Sequence, residues 1–293
     1  SALDNLAIAP DGTIYVSNMA DNGIQAVNPA TGAVRQLTRG AVAVPGGIKV
    51  DGNTLWLADI FSFRKVDLTT GQVTDVKRSH AVDSDIEYPF SVGMGSKHLT
   101  LSSWFTGTVQ LIDRASGKTT AMLHGFQAPY DAIPMDDGSL LVAEIATGSI
   151  TRASGDSFAT RTPLASGLGG PVQMVLGPDG QLYVTEAAGN IQRIDPKTGA
   201  KTQVATGLAL PEGLAFTPWG TLVVAEAAAG RLTELDLANN QRRTIAENLP
   251  IGLSAGPGMP PPYVPTGVAV GADGSIYLSA DRNNAIYRIR PVR

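Results

Sequence analysis

One phrase recurs along the chain and limits its fold more than any other feature. "LYVTEAAGNIQRIDPKTG" (182–199) holds a short apolar strand, an acid, a small loop, a second strand and a tight turn. The same order of residue types returns from Ile14, Leu55, Leu99, Leu140, Leu222 and Ile276, so there are seven copies, with the second strand shortened in the copy at Leu140. A second phrase precedes each copy: Pro-x-Gly or a decayed form of it, anchored at Pro45, Pro89, Pro129, Pro171, Pro211 and Pro265, with "LDNL" from Leu3 standing in at the start. The anchors lie 42, 44, 40, 42, 40 and 54 residues apart.

A period near 42 residues is that of one blade of a β-propeller. Within the fifth unit the sequence predicts four short strands at 173–176, 182–185, 191–195 and 202–205. "GPDG" precedes the second and "DPKTG" the fourth. Asp serves such turns because its side chain accepts nearby backbone N–H groups, and Gly because it tolerates positive φ. The strands are rich in Val, Ile, Leu and Tyr. A four-stranded sheet cannot bury both of its faces alone, so the units must stack around an axis. The expectation is an all-β chain, a single propeller domain over 1–293, with seven blades of four antiparallel strands. The last unit ends at "AIYRIRPVR" with no fourth strand after it. It is expected either to form a three-stranded blade or to be completed by residues upstream of Ser1; a six-bladed ring with one irregular unit is the alternative.

Composition narrows the partners. Of 293 residues 43% are hydrophobic and 16% charged, with a net charge of −4. That balance argues against nucleic acid or an anionic membrane, since both select clustered Lys and Arg. No stretch approaches the roughly 18 apolar residues of a membrane span, and no signal peptide is read at the start. Cysteine is absent, which removes disulfides, thiolate metal sites and Cys nucleophiles and fits an extracytoplasmic location. Nucleotide loops, zinc-protease helices and serine-hydrolase elbows have no counterpart here; "GLGGP" (167–171) joins two blades and opens no helix.

"PEGLAFTPWGTLVVAE" from Pro211 and "PTGVAVGADGSIYLSAD" from Pro265 carry a resemblance that covers nearly the whole chain. They resemble NHL-repeat propellers and the senescence-marker protein/gluconolactonase family, with the streptogramin lyases as more distant relatives. The resemblance implies a divalent cation, calcium or similar, held by Glu, Asn and Asp at the start of innermost strands. On this chain it points to Glu212, to Asp4 with Asn5 beside it, and to Asp131, which is displaced by one residue; in strict register the trio is incomplete. The streptogramin lyases carry His at the middle position of Pro-x-Gly. Here that position holds Asp4, Gly46, Phe90, Tyr130, Val172, Glu212 and Thr266, so the lyase chemistry is not expected.

In a propeller, the loops entering first strands and leaving second strands open on one face. That face collects the strand-end residues Asn18, Asp59, Ser103, Glu144, Glu186, Glu226 and Ala280. Each acid there has a structural reading, as acceptor for N–H groups of the neighbouring loop. It also has a functional one, as part of a cation or sugar-hydroxyl site, because hard cations take carboxylate oxygens. Aromatics gather on the same face: Phe61, Tyr88, Phe90, Trp104, Phe105, Phe126, Tyr130 and Tyr263. Aromatics with a few convergent acids are the usual form of a small-molecule site. Two long loops, 77–88 and 251–264, land there too, the second carrying three prolines that suit a stiff rim. His80 and His124 lie in loops of this face and are candidate bases; His98 is read into a turn of the opposite face.

Three readings follow. In the first, the mouth hydrolyses a lactone or similar ester with a metal on Glu212 helped by Asp131 or Asp4, and Glu186 or His124 moves the proton. Its ligand contacts are Tyr130, Phe90, Trp104, Glu144, Glu186 and Tyr263. In the second, the same face binds a peptide, glycan or partner domain without chemistry. In the third, which combines with either, the closing strand lies upstream.

Overall fold

The computed structural model describes residues 3–18, 22–39, 41–43, 45–78, 85–253, 266–283 and 285–290. His80, Tyr263 and the three prolines at 260–262 lie outside them. Seven antiparallel sheets follow one another along the chain, over 3–39, 45–78, 91–123, 129–166, 171–205, 211–246 and 268–289, and each runs its strands in sequence order. Six have four strands and the seventh has three, Val268–Val270, Ile276–Ala280 and Ala285–Ile289. The chain is therefore a seven-bladed β-propeller with a three-stranded last blade, and the six-bladed alternative is excluded. The fifth unit forms strands at Pro171–Leu176, Leu182–Glu186, Asn190–Ile194 and Lys201–Ala205, within two residues of the sequence reading.

The core explains why the blades need each other. Buried apolar side chains form seven clusters, and each lies at one seam between neighbouring blades. Leu57 and Ile24 meet between blades 1 and 2, and Val142 and Val109 between blades 3 and 4. The cluster at the closing seam holds Leu3, Leu6, Ile14 and Val16 of blade 1 against Tyr277 of blade 7. The second strand of every blade is sandwiched on both faces. Ile14–Asn18, Leu140–Glu144, Leu182–Glu186, Leu222–Glu226 and Ile276–Ala280 are buried at every residue. This is why those strands read as unbroken apolar runs rather than as alternation. The outer strands, such as Gln241–Ala246, are mostly exposed.

The Pro-x-Gly phrase builds a bulge. In blades 1, 2, 4, 5 and 6 the register between first and second strands shifts just after the anchor residue, which frees backbone N–H groups at the top of the channel. They are satisfied across the seams in two ways. In blades 2 and 6, where the third position is Gly, the next blade's carbonyl comes close: Gly213 N donates to Thr266 O at 3.1 Å and Gly47 N to Phe90 O at 2.9 Å. A Cβ on Gly213 would lie 2.3 Å from that carbonyl, so the glycine is there for space. Where the third position is polar, the side chain bridges instead. Asp131 Oδ2 accepts from Met174 N at 3.0 Å, and Gln173 Oε1 from Leu214 N at 3.2 Å.

Candidate functional site

The repeated acids at the ends of second strands hold the loops that enter the first strands. Glu144 accepts from Gln127 N at 2.5 Å and from the Thr151 hydroxyl. Glu226 accepts from Ala209 N at 2.8 Å, from Thr233 Oγ1 at 2.5 Å, and from Arg231 through both Nε and Nη2 at 2.8 and 2.7 Å. Asp59 takes Ala43 N at 2.9 Å and Arg64 Nε at 2.7 Å. In each case the donor lies two residues before the anchor proline. Glu186 departs from this pattern: Asn190 Nδ2 donates to Oε2 at 2.7 Å, and the buried Oε1 has no partner. Its hairpin is one residue shorter, and Gln192 stands where blades 4 and 6 have Thr151 and Thr233. In blade 7 the residue doing this work is Asp281, one place beyond Ala280, accepting from Leu253 N at 2.8 Å.

The middle residues of Pro-x-Gly form the ring of the mouth, and its chemistry is lopsided. Blades 6, 7 and 1 contribute Glu212, Thr266 and Asp4; blades 3 and 4 contribute Phe90 and Tyr130; Gly46 and Val172 separate the two arcs. Glu212 is 2% exposed, and its Oε2 accepts from Thr266 N at 2.6 Å. Burial pushes its carboxyl up to about 7 against the pull of that N–H, and the nearby Asp281 adds to the rise. Asp4 is 8% exposed, accepts no hydrogen bond from the described residues, and is also pushed up to about 7 by burial. A Cβ placed on Gly46 would lie 3.2 Å from Asp4 Oδ2 and 3.1 Å from Phe90 O. Gly46 is therefore closely packed, and a larger residue there would press on Asp4 and on the Phe90 carbonyl.

The aromatic arc is continuous. Phe61 meets Tyr88 edge to face at 5.8 Å, and Tyr88 meets Phe105 at 6.0 Å. Phe105 meets Trp104 at 5.8 Å, and Trp104 lies 5.3 Å from Phe90 and stacks on Tyr130 at 6.3 Å with 22° between planes. Such pairs favour offset and edge-on geometry because of the ring quadrupoles. Phe61 is 44% and Phe105 65% exposed, so the wall presents apolar surface to solvent. Across the mouth, the hairpins of blades 4 to 6 end in Ala146, Ala187, Ala188 and Ala227–Ala229 and are tied down by bonds such as Ala187 N to Gly170 O at 2.7 Å. Tyr88 has φ of +41°, but Ala128 and Leu210 share this left-handed conformation at the same place before the anchor proline. The strain therefore belongs to the blade entry rather than to the aromatic wall.

The structure separates the acids that the metal reading joins. Asp131 sits in blade 4, across the ring from Asp4 and Glu212. Its carboxyl is spent on Met174 N and Ala132 N, with burial raising its pKa against those bonds and the charge of Lys49. Among the described residues, no three His, Asp or Glu side chains are placed to hold a metal ion. His124 is exposed beyond the outer strand of blade 3, with Nδ1 3.8 Å from Glu87. His98 opens the second strand of blade 3, Leu99 following it in register with Ile112. Sequence reading missed Asp281, the close packing at Gly46 and the burial of Asp4 away from donors of the described residues. Asp281 was legible from "LSAD"; the other two depend on a seam.

No family model matches the chain, and no curated protein matches it. Solved structures do. A streptogramin B lyase structure is 16% identical, with TM-score 0.77 over 98% of this chain and 92% of that one. A catalytically inactive histidine-to-alanine virginiamycin B lyase from Staphylococcus aureus, with quinupristin, is 14% identical, with TM-score 0.79 over 99% and 95%. The WD40 β-propeller domain of Doa1 is 13% identical, with TM-score 0.78 over 100% and 93%. At these identities the likeness is one of fold. It places the chain among the β-propellers and does not single out the NHL or senescence-marker branch.

Proposed function

We propose that this propeller binds a small molecule in the mouth, with the aromatic arc of blades 2 to 4 as its apolar wall. The observation that carries the reading is the unbroken path from Phe61 through Tyr88, Phe105 and Trp104 to Phe90 and Tyr130, partly open to solvent. Phe61 and Phe105 are exposed while Tyr130 is buried, so the cluster opens at its outer end, and it borders a channel mouth that also carries acids. The neighbour bound to quinupristin is consistent with ligands on this fold. The absence of cysteine supports an extracytoplasmic setting. Glu144 stands behind the mouth as a loop fastener, and Glu186 bonds within its own hairpin. The test is quenching of Trp104 fluorescence by a neutral aryl probe, 2-phenylethanol, in a background with Trp56→Phe and Trp219→Phe. Saturable quenching that Trp104→Ala and Tyr130→Ala abolish or weaken supports the reading; linear, unsaturable quenching removes it.

A hydrolytic reading is favoured by one observation. Glu212 and Asp4 are held near pKa 7, and a carboxyl poised there can give or take a proton at neutral pH. Turnover of a lactone panel that falls at least tenfold in Glu212→Gln supports it; no turnover, or turnover unchanged in the variant, sets it aside.

A further inference from the structure

We infer that the groove between blades 5 and 6, on the face opposite the mouth, binds a small aryl carboxylate, its carboxylate on Arg193 and its ring against Phe216 and Leu237. This is a second site, and it does not rest on the reading of the mouth. Register places Arg152, Arg193 and Arg288 at one position of the third strand, paired with Leu141, Tyr183 and Tyr277 of the second. Arg152 gives its guanidinium to three oxygens: Asp137 of its own blade at 3.0 Å, the Ser139 hydroxyl at 2.6 Å and the Pro196 carbonyl of the next blade. Arg288 does the same with Asp273 at 3.0 Å, Ser275 Oγ at 3.0 Å and Pro29 O. Among the described residues, Arg193 keeps the acid alone, Asp179 at 3.2 Å. Gln181 stands where the other two blades have Ser139 and Ser275, each donating its N–H to the turn Asp two residues before it. The counterpart of Pro196 and Pro29 is Leu237, next to a turn residue that accepts the same N–H groups as theirs. No bond joins its carbonyl to Arg193. The side chain of Arg193 is accordingly 44% exposed, against 19% for Arg152 and 23% for Arg288.

Open space stands where this latch is not made. A cavity of about 550 Å³ lies at the seam, lined by Arg193, Asp179, Tyr183, Phe216, Val204 and Leu237 among others. That volume is ample for a small aryl compound. Among the described residues, Arg193 and Asp179 are its only charged lining. Asp179 is already supplied with donors: Oδ2 accepts from the Tyr183 hydroxyl at 3.0 Å and Oδ1 from Gln181 N at 3.1 Å. The donors left over on Arg193 are those that its two counterparts give to a pair of neutral oxygens. A carboxylate offers two oxygens in one plane, which matches the guanidinium fork. Phe216 meets Tyr183 edge to face at 5.0 Å and, with Val204 and Leu237, is half-buried, so these side chains form an apolar wall beside the fork. Asp179 next to Arg193 disfavours a dianion such as phosphate, and Arg193 itself disfavours an amine.

The experiment titrates phenylacetate, 2-phenylethanol, 2-phenylethylamine and inorganic phosphate into the full chain, following by NMR the Arg193 Nε–Hε group and the Leu237 backbone amide. Phenylacetate is expected to shift both saturably and to bind roughly fivefold more tightly than the alcohol. The amine and phosphate are expected to leave the Arg193 signal in place. Arg193→Met is expected to level phenylacetate with the alcohol, read on the Leu237 amide. Arg193→Lys keeps the charge without the fork and is expected to lose most of the preference, which keeps the test decisive should Arg193→Met fold poorly. No saturable shift up to ~10 mM phenylacetate, equal binding of the alcohol, an equal response to phosphate, or a preference that survives both variants overturns the inference. These signals lie on the face away from Trp104, so failure here leaves the mouth reading to its own test.

Discussion

A carboxyl at the mouth of this molecule behaves according to the donors it meets. Glu226 is fully buried yet held below the usual Glu range by Arg231, Thr233 and Ala209 N–H, which together outweigh its burial. Asp4 is nearly as buried, meets no donor among the described residues, and is pushed the other way. Sequence alone ranked both as acids on one face; the difference lies in who stands across the seam. The sign for stability follows. An acid whose folded pKa lies above its unfolded value holds its proton longer in the folded state, so its destabilising effect appears as pH rises from about 4 and is complete near 7. Asp4→Asn is therefore expected to match the wild-type chain in stability at pH 4 and to exceed it by roughly 1–4 kcal/mol at pH 8. Urea unfolding at the two pH values reads this directly. A gap that is constant with pH would mean that Asp4 is ionised and satisfied in the folded state.

The blade, as an element, was legible down to its turns. "GPDG" and "DPKTG" mark turns in which Asp179 and Asp195 accept backbone N–H groups two or three residues on. What the single-blade pattern does not contain is how one blade holds the next. Asp131 looked like a metal ligand out of register by one residue; it is in register as the cap for Met174 N in blade 5. On the opposite face, Arg152 pairs with Asp137 of its own blade at 3.0 Å and donates to Pro196 O of blade 5. Arg288 repeats this latch, pairing with Asp273 at 3.0 Å and donating to Pro29 O of blade 1. In blade 6 the pair is exchanged for Trp219 and Glu234, joined at 3.3 Å. Arg288 is thus a tie across the closing seam, where blade 7 has no outer strand. Arg288→Met removes the tie together with the guanidinium that lies 5.7 Å from the Tyr277 ring centroid. It is expected to cost about 1–2 kcal/mol and to speed amide exchange first in Ala285–Ile289 and in blade 1. Uniform faster exchange over all seven blades would contradict a local tie.

At the scale of the whole molecule, seven seams make one ring, and a repeat period found by eye was enough to count them. The number of blades was legible because each unit repeats the same turn chemistry. The mouth was legible only in outline, because its character comes from residues that different units place at one equivalent position: Asp4, Thr266 and Glu212 on one side, Phe90 and Tyr130 on the other. That lopsided ring is the central claim, and it has a rival within the same molecule. A cavity of about 570 Å³ on the opposite face is lined by Met94, Met135, Leu176, Arg114, Arg152 and Lys197, among others. A crystallographic soak of small aryl compounds, with 2-phenylethanol and 2-phenylethylamine among them, distinguishes the two faces. The account expects density against the aromatic wall at Phe105, Trp104 and Phe90. Compounds seated in the opposite-face cavity, with the mouth left empty, would contradict it.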